Sequence, residues 1–142
     1  MKTDQEILSS ILKTTQMGQT GIRCVKPHAK GPGLKAALDS QLREYDTIED
    51  EAHAIARARS WEVPELSSGV RAMSHMMSRC QLMYRSNDSQ IAGMMIQGNT
   101  RGMILGLKNM RRCNHPDSQV AQIAQKLLET EKNNIVSMEG FL

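Results

Sequence analysis

Aromatic side chains are scarce in this sequence of 142 residues, which has one Trp, two Tyr and one Phe. Nucleic-acid bases stack on such side chains, so their scarcity argues against a platform for single-stranded nucleic acid. The formal net charge of +3 does not indicate nucleic-acid binding either, because a small positive balance is weak evidence for a polyanionic partner. We therefore expect no nucleic-acid partner.

Long apolar runs are also missing. No stretch approaches the ~18 consecutive apolar residues that a transmembrane helix needs. The N-terminal stretch, MKTDQEILSSILKTTQ, lacks the apolar core and the small-residue cleavage site of a signal peptide. The sequence therefore predicts a soluble, cytoplasmic protein without a membrane partner.

Cysteines are few and widely spaced. Cys24, Cys80 and Cys113 form neither a C-x-x-C pair nor a zinc-binding spacing. An odd number of distant cysteines is typical of reduced, buried thiols inside a cell, and we expect that state for all three.

Familiar catalytic motifs are absent too. The sequence has no G-x-S-x-G, no P-loop and no dinucleotide-binding glycine pattern. His53 is the one histidine well inside a predicted main helix, whereas His28 and His115 lie in predicted turns. These features favour a protein that is not an enzyme, and no catalytic residue is proposed.

Apolar residues recur at helical spacing along most of the chain, and no segment shows the alternation of a strand. Capping residues and helix breakers set the predicted bounds. Helix one runs from near Thr3 to Pro27 and the KGPG stretch, and helix two runs from about Leu34 to Ser60. A short extra helix follows from about Ser68 to Tyr84, helix three runs from the cap-rich stretch 86–89 to about Arg112, and helix four has Pro116 in its first turn. We expect one all-α domain, 1–142, built as an antiparallel up-down-up-down four-helix bundle with an extra short helix between helices two and three.

Polar residues occupy the middle of each predicted main helix. Gln19, Asn99 and Glu131 mark this polar bundle centre on helices one, three and four. Such a layer can be a hydrogen-bond network that fixes helix register. It can equally be a cofactor site, because bundles build such sites from facing side chains at this level.

Glycine and methionine are concentrated around helix three. Gly98, Gly102 and Gly106 form a ladder on one face, which predicts close packing against a neighbouring helix. Gly18 and Gly21 on helix one are the candidate opposing surface. Eight of the eleven methionines lie in the Met-rich segment 73–110. Methionine fills irregular cores and also lines adaptable binding surfaces. A ligand space beside helix three is therefore an open alternative.

The helix lengths and the segment between helices two and three resemble the ferritin-like, rubrerythrin-related four-helix bundles. They are most similar to a bacterial branch of uncharacterised function, in which an extra helix joins the second helix to the third. The stretch of this sequence that resembles the start of the third helix is Ile91-Ala92-Gly93-Met94-Met95-Ile96-Gln97-Gly98-Asn99. The resemblance implies a ferritin-like fold.

Metal-binding members of this class hold two iron or manganese ions with inward carboxylates and two Glu-x-x-His motifs. This sequence has one related pattern, Asp50-Glu51-Ala52-His53, and no histidine in helix four. Asn99 and Ile135 take positions where the resemblance implies ligands. If a metal binds, the candidate ligands are Glu49, Asp50, His53 and Glu131.

Three hypotheses follow. The leading one is a non-catalytic, ferritin-like bundle without cofactor, in which the metal site is absent or degenerate. It would act as a structural or protein-interaction module, as a homo-oligomer, with a dimer favoured, or with another protein partner. The rival is a metal- or redox-binding protein that uses iron or manganese and the acids of helices two and four. The third is a small-ligand binder with a Met- and Gly-lined cavity.

Overall fold

The computed structural model describes residues 3–63, 80, 85–115 and 118–142. Within these ranges the main elements are helices, and no strand occurs. They are α1 (Asp4–Val25), a short 3-10 helix (Lys26–His28), α2 (Pro32–Ala58), α3 (Asp88–Arg111) and α4 (Gln119–Glu139). The predicted all-α class is confirmed. The predicted extra helix at 68–84 lies outside the described residues, apart from Cys80.

Side-chain caps explain where three of these helices begin. The Thr3 hydroxyl accepts a hydrogen bond from the Glu6 amide, and the Glu6 carboxylate accepts one from the Thr3 amide, which confirms the predicted capping box. Asn87 and Gln90 make the same reciprocal pair at the start of α3. Ser118 caps α4, and Pro116, which was predicted to lie in the first turn of this helix, is outside the described residues.

The predicted up-down-up-down order is wrong, because α2 and α3 start at the same end of the bundle. Asp88, the first residue of α3, accepts hydrogen bonds of 2.8 Å from the backbone amides of Lys30 and Gly31, just before α2. At the other end, Asn109 of α3 donates to the hydroxyl group of Ser10 in α1. Thus α3 runs parallel to α2 and antiparallel to α1. The chain between α2 and α3 crosses from one end of the bundle to the other.

Helix α4 runs antiparallel to both α2 and α3. Gly102 and Gly106 of α3 pack against Glu131 and Leu128 of α4 in reverse order, and Lys126 pairs with Glu51 of α2 at 2.6 Å. The order of directions is therefore up-down-down-up. Nothing in the sequence pattern distinguishes this order from the predicted one, because both place the same apolar stripes inward.

An apolar core fills both ends of the bundle and leaves a polar layer between them. Burial of these side chains drives folding. At the end where α1 starts, the core contains Ile7, Leu8, Ile11, Leu12, Ala52, Ala56, Val120, Ile123 and Leu127; at the other end it contains Ile22, Val25, Leu34, Leu38, Ile91, Met95 and Met138. The polar layer is thus enclosed by dry aliphatic packing on both sides.

Two of the cysteines form a disulfide bond, so the expectation of reduced thiols is wrong for them. Cys24 near the end of α1 and Cys80 lie with their Cα atoms 5.5 Å apart, a usual separation for a disulfide. They meet because the crossover brings residue 80 back towards the end of α1. Cys113 is free and half-buried. Since disulfides are typical of oxidising compartments, the cysteines give no support to the cytoplasmic expectation.

The described helices include none that is both long and apolar enough to cross a membrane.

Candidate functional site at the bundle centre

The polar layer is organised around the hydroxyl group of Tyr45. Its Oη atom lies 3.0 Å from Oε1 of Glu131 and 3.2 Å from Oδ1 of Asn99. The three residues come from the middles of α2, α4 and α3, and each is at least 97% buried, with exposed fractions of 1%, 2% and 3%. We call this set the Tyr45 cluster. It joins three helices through one hydroxyl group.

Two glycines make room for the larger members of the cluster. The Tyr45 ring packs on the backbone of Gly18 in α1, where an added Cβ would lie 2.6 Å from the ring. The Glu131 carboxyl group packs on Gly102 of α3, where an added Cβ would lie 2.8 Å from its Cδ atom. Real Cβ atoms do not approach so closely, so each position needs a residue without a side chain. All four helices therefore contribute to the site.

Burial changes the acid–base properties of the cluster. Loss of water raises the pKa of Glu131 to about 7, although the hydrogen bond from Tyr45 lowers it. Burial also raises the pKa of Tyr45 well above its usual value, the negative charge of Glu131 raises it further, and Asn134 acts in the opposite direction. Near neutral pH, Glu131 is therefore divided between its protonated and its ionised form, whereas Tyr45 stays protonated.

One hydroxyl hydrogen cannot satisfy two acceptor oxygens, so the Tyr45 cluster has two consistent proton arrangements. If Glu131 is neutral, its acid proton goes to Tyr45 Oη, and Tyr45 donates to Asn99 Oδ1. If Glu131 is ionised, Tyr45 donates to Glu131, and the Asn99 amide turns over so that Nδ2 donates to Tyr45. The nitrogen and oxygen of an amide are interchangeable in shape, which makes the second arrangement available without repacking.

Several buried polar atoms around the cluster have no hydrogen-bond partner in the described structure. They are both amide atoms of Gln41, Nδ2 of Asn99, Oε2 of Glu131 and Nδ2 of Asn134. Gln41 lies one turn before Tyr45, and Asn134 lies one turn after Glu131, on the same helix faces. Buried polar atoms of native proteins are almost always paired. Their concentration within one turn of the Tyr45 cluster makes the bundle centre the candidate site for an additional bound group.

The structure brings two of the three predicted polar-centre residues into the cluster. Asn99 and Glu131 belong to it. Gln19 is also buried, but its Nε2 atom donates to the carboxylate of Asp46 at 2.8 Å and thus turns away from Tyr45. Gln19 ties α1 to the outer side of α2.

The predicted metal ligands do not converge. Glu131 is buried, whereas Asp50 is exposed and Glu49 and His53 are half-buried on α2. Within the described residues no three His, Cys, Asp or Glu side chains lie together in a way that could hold a metal ion. The Tyr45 cluster offers a single carboxylate and no imidazole, a donor set that does not fit two iron or manganese ions.

The glycine ladder of α3 does not pack along its whole length. Gly106 meets Leu128 of α4, and Gly102 meets Glu131. Gly98 is exposed, and an added Cβ there would meet nothing within 4 Å in the described part of the chain, so the prediction of close packing is wrong at this position. The side chains of α4 also fill the space above Gly102 and Gly106, which removes the floor of the hypothetical ligand cavity.

Sequence patterns missed the residue at the middle of the site. Tyr45 falls on the apolar stripe of α2 with Leu38 and Ile48, and such a position predicts a core residue. Ile135, expected at a ligand position, is only half-buried, whereas Asn134 is buried. The sequence did contain a signal for Asn134: Glu131 and Asn134 have the i, i+3 spacing that puts two polar groups on one helix face. It contained no such signal for Tyr45.

The outward face of α3 is a second candidate site. It exposes the large apolar side chains Met94, Ile104 and Leu105, all at least 36% accessible. Met94 and Leu105 share a helix face with Gly98, and Ile104 lies beside this face. The cations Arg101, Lys108 and Arg112 on the same side of the helix are exposed. An apolar surface with a polar rim is typical of a protein contact.

Comparisons of the chain with family models, with curated proteins and with solved structures find no match.

Proposed function

We propose that this protein is a non-catalytic, ferritin-like bundle that serves as a structural or protein-interaction module, with a hydrogen-bonded polar cluster in place of a metal centre. The helix directions support the ferritin-like relationship, because bundles of that type have a single long crossover connection. Here that crossover leads from the end of α2 to the start of α3.

One observation carries the proposal: in α4 the buried Glu131 is followed three residues later by the buried amide of Asn134, whereas a Glu-x-x-His motif would have an imidazole at this spacing. Facing them, α2 and α3 supply Tyr45 and Asn99. Phenol and amide groups pair with one another in a dry interior, where extra carboxylates would need cations. The cluster therefore suits a role in fixing the fold.

The contact surface that we propose is the outward face of α3, and its occupant is a second copy of the chain. If two α3 helices pair antiparallel about the midpoint between Asn99 and Thr100, residues equally far from that midpoint face each other. Gly98 then faces Arg101 of the copy, and Met94 faces Leu105. A two-fold contact needs such self-complementarity, and the missing side chain at Gly98 leaves space for the Arg101 stem.

Elemental analysis tests the absence of an iron, manganese or zinc centre. The protein is purified without chelator and melted with and without iron, manganese and zinc. We expect less than one equivalent of any of the three metals and unchanged melting temperatures. A stoichiometric metal that raises the melting temperature would contradict the proposal, because a ligand that binds only the folded state must stabilise it.

Light scattering coupled to size-exclusion chromatography tests the contact surface. We expect a dimer that dissociates in the variant Gly98→Gln, because the new side chain fills the space for the partner. Ala54→Gln, at an exposed position of α2, is the matched control and should remain dimeric. Added salt should tighten the dimer by screening the cations of the two faces. A monomeric wild-type protein at high concentration would refute this contact.

A further inference from the structure

Among the described residues, no cation pairs with Glu131 in the site that buries it. Its Oε1 atom accepts a hydrogen bond from Tyr45, and its Oε2 atom has no partner among the described residues. Asn99 shares Tyr45 with it as a hydrogen-bond partner. Asn134 lies one turn after Glu131, and Gln41 lies one turn before Tyr45. All three are buried and uncharged. A buried carboxylate without an opposite charge is costly. The charge can be removed by a proton or compensated by a bound cation.

We propose that the bundle centre binds one monovalent cation of the potassium or sodium class, held by Glu131 Oε2 and by the amide oxygens of Gln41, Asn99 and Asn134. The site goes beyond the proposed structural function, and nothing in that function depends on it. Its basis is the set of unpartnered, buried polar atoms on three helices, which belong to the Tyr45 cluster or lie one turn from it.

Charge selects a monovalent ion over a divalent one. One carboxylate and one monovalent cation leave the enclosed site neutral, whereas a divalent ion would leave a net positive charge in the dry core. Divalent ions also prefer sites with several carboxylates. In the described residues Glu131 is the one acid that is buried among the unpartnered amides. Neutral oxygen donors are the usual partners of potassium in proteins.

The amides can present oxygen to an ion without repacking. In the arrangement with ionised Glu131, Asn99 Nδ2 donates to Tyr45, and Asn99 Oδ1 is then free to face the ion. The two amide atoms of Gln41 have no partner to lose when that amide turns. Tyr45 meanwhile keeps its hydrogen bond to Glu131 Oε1. The ionised form of the cluster is thus the form that is ready for a cation.

Ordered water is the competing occupant. Water can also pair with amide groups in a buried polar site, but it leaves the carboxylate charge uncompensated. The two occupants differ in a measurable way, because only the cation makes the stability depend on which ion the buffer contains.

The test is a series of thermal melts at pH 8 in choline chloride, with potassium or sodium chloride replacing choline at constant ionic strength. We expect a saturable rise in melting temperature of about 5 °C or more for at least one of the two ions. Equilibrium dialysis against rubidium chloride should give one rubidium ion per chain. No rise relative to choline, and no bound rubidium, would leave ordered water only and would overturn the proposal.

Three variants separate this site from a general salt effect. Glu131→Gln should abolish the rise, whereas Glu129→Gln, at an exposed glutamate two residues earlier, should retain it. Gln41→Met keeps the carboxylate and the side-chain volume, and it should weaken the cation affinity at least tenfold even if Glu131→Gln fails to fold. An unchanged affinity in Gln41→Met, or a full rise in Glu131→Gln, would refute the ligand assignment.

Discussion

The carboxyl group of Glu131 packs directly on the backbone of Gly102, so close that an added Cβ would lie 2.8 Å from Cδ and 2.8 Å from Oε1. This contact places the acid within reach of Tyr45. Helix propensity alone would favour alanine over glycine at residue 102, so the glycine has a packing reason.

Gly102→Ala should therefore destabilise the protein, although alanine is the better helix former. The new methyl group must displace Glu131 from the cluster, and we expect a net loss of roughly 1 to 2 kcal/mol in the free energy of unfolding. The control on the same helix is Gly93→Ala, where an added Cβ would meet only Leu142 at 3.9 Å, and this variant should gain up to about 1 kcal/mol. Denaturant unfolding measures both. Equal effects in the two variants would show that packing at Gly102 is unimportant.

Tyr45→Phe should raise the pKa of Glu131 above its present value of about 7, because the hydrogen bond from Tyr45 favours the ionised carboxylate. The variant also loses a buried hydrogen bond, at a cost of about 1 to 2 kcal/mol. Titration of the side-chain carboxyl carbon by NMR measures the pKa. An unchanged value would mean that the hydroxyl group does not donate to Glu131.

The stability of the protein should fall as the pH rises from about 4.5 to about 7 in buffers free of potassium and sodium. The pKa of Glu131 is about 7 in the fold and 4.5 as its model value, so the unfolded chain loses this proton at lower pH. Folding then carries a growing penalty that reaches about 3 kcal/mol above pH 7. Glu131→Gln has no such penalty.

The difference between the wild type and Glu131→Gln isolates this effect, since all other titrating groups are shared. Its pH dependence, from denaturant unfolding at several pH values, should amount to about 3 kcal/mol between pH 4.5 and pH 8. Parallel pH profiles for the two proteins would refute the raised pKa.

Cys80→Ser should lower the melting temperature and the unfolding free energy. The disulfide with Cys24 closes a loop of 56 residues, and the chain-entropy model assigns at most about 4 kcal/mol to a loop of that size. Reduction of the wild type by dithiothreitol should have the same effect. Cys113→Ser, which removes the free thiol, is the control and should change little. A melting temperature that does not respond to reductant would exclude the bond.

Local patterns were sufficient to predict the helices but not their arrangement. Thr3 and Glu6 identify the start of α1, because the two residues of a capping box are only three positions apart in the sequence. The parallel course of α2 and α3 depends instead on Asp88 binding the amide of Gly31, a contact over 57 residues. No periodicity encodes such a contact.

The polar centre could be located from sequence more easily than its members could be identified. Asn99 and Glu131 stand out because they interrupt apolar stripes. Tyr45 does not, since a tyrosine is apolar over most of its surface and its single hydroxyl group becomes important only when partners surround it. The partner of Gln19, Asp46, lies on a different helix face and could not be distinguished from its acidic neighbours.

The bond between Cys24 and Cys80 also makes a covalent ring that contains the whole of α2. A single proteolytic cut anywhere in residues 25–79 would open this ring without releasing a fragment, because the bond would still join the two pieces. The cut protein would migrate as one chain on a non-reducing gel and as two on a reducing gel. While the disulfide is intact, a cut in the crossover leaves the two pieces covalently joined. After reduction, no covalent bond joins them.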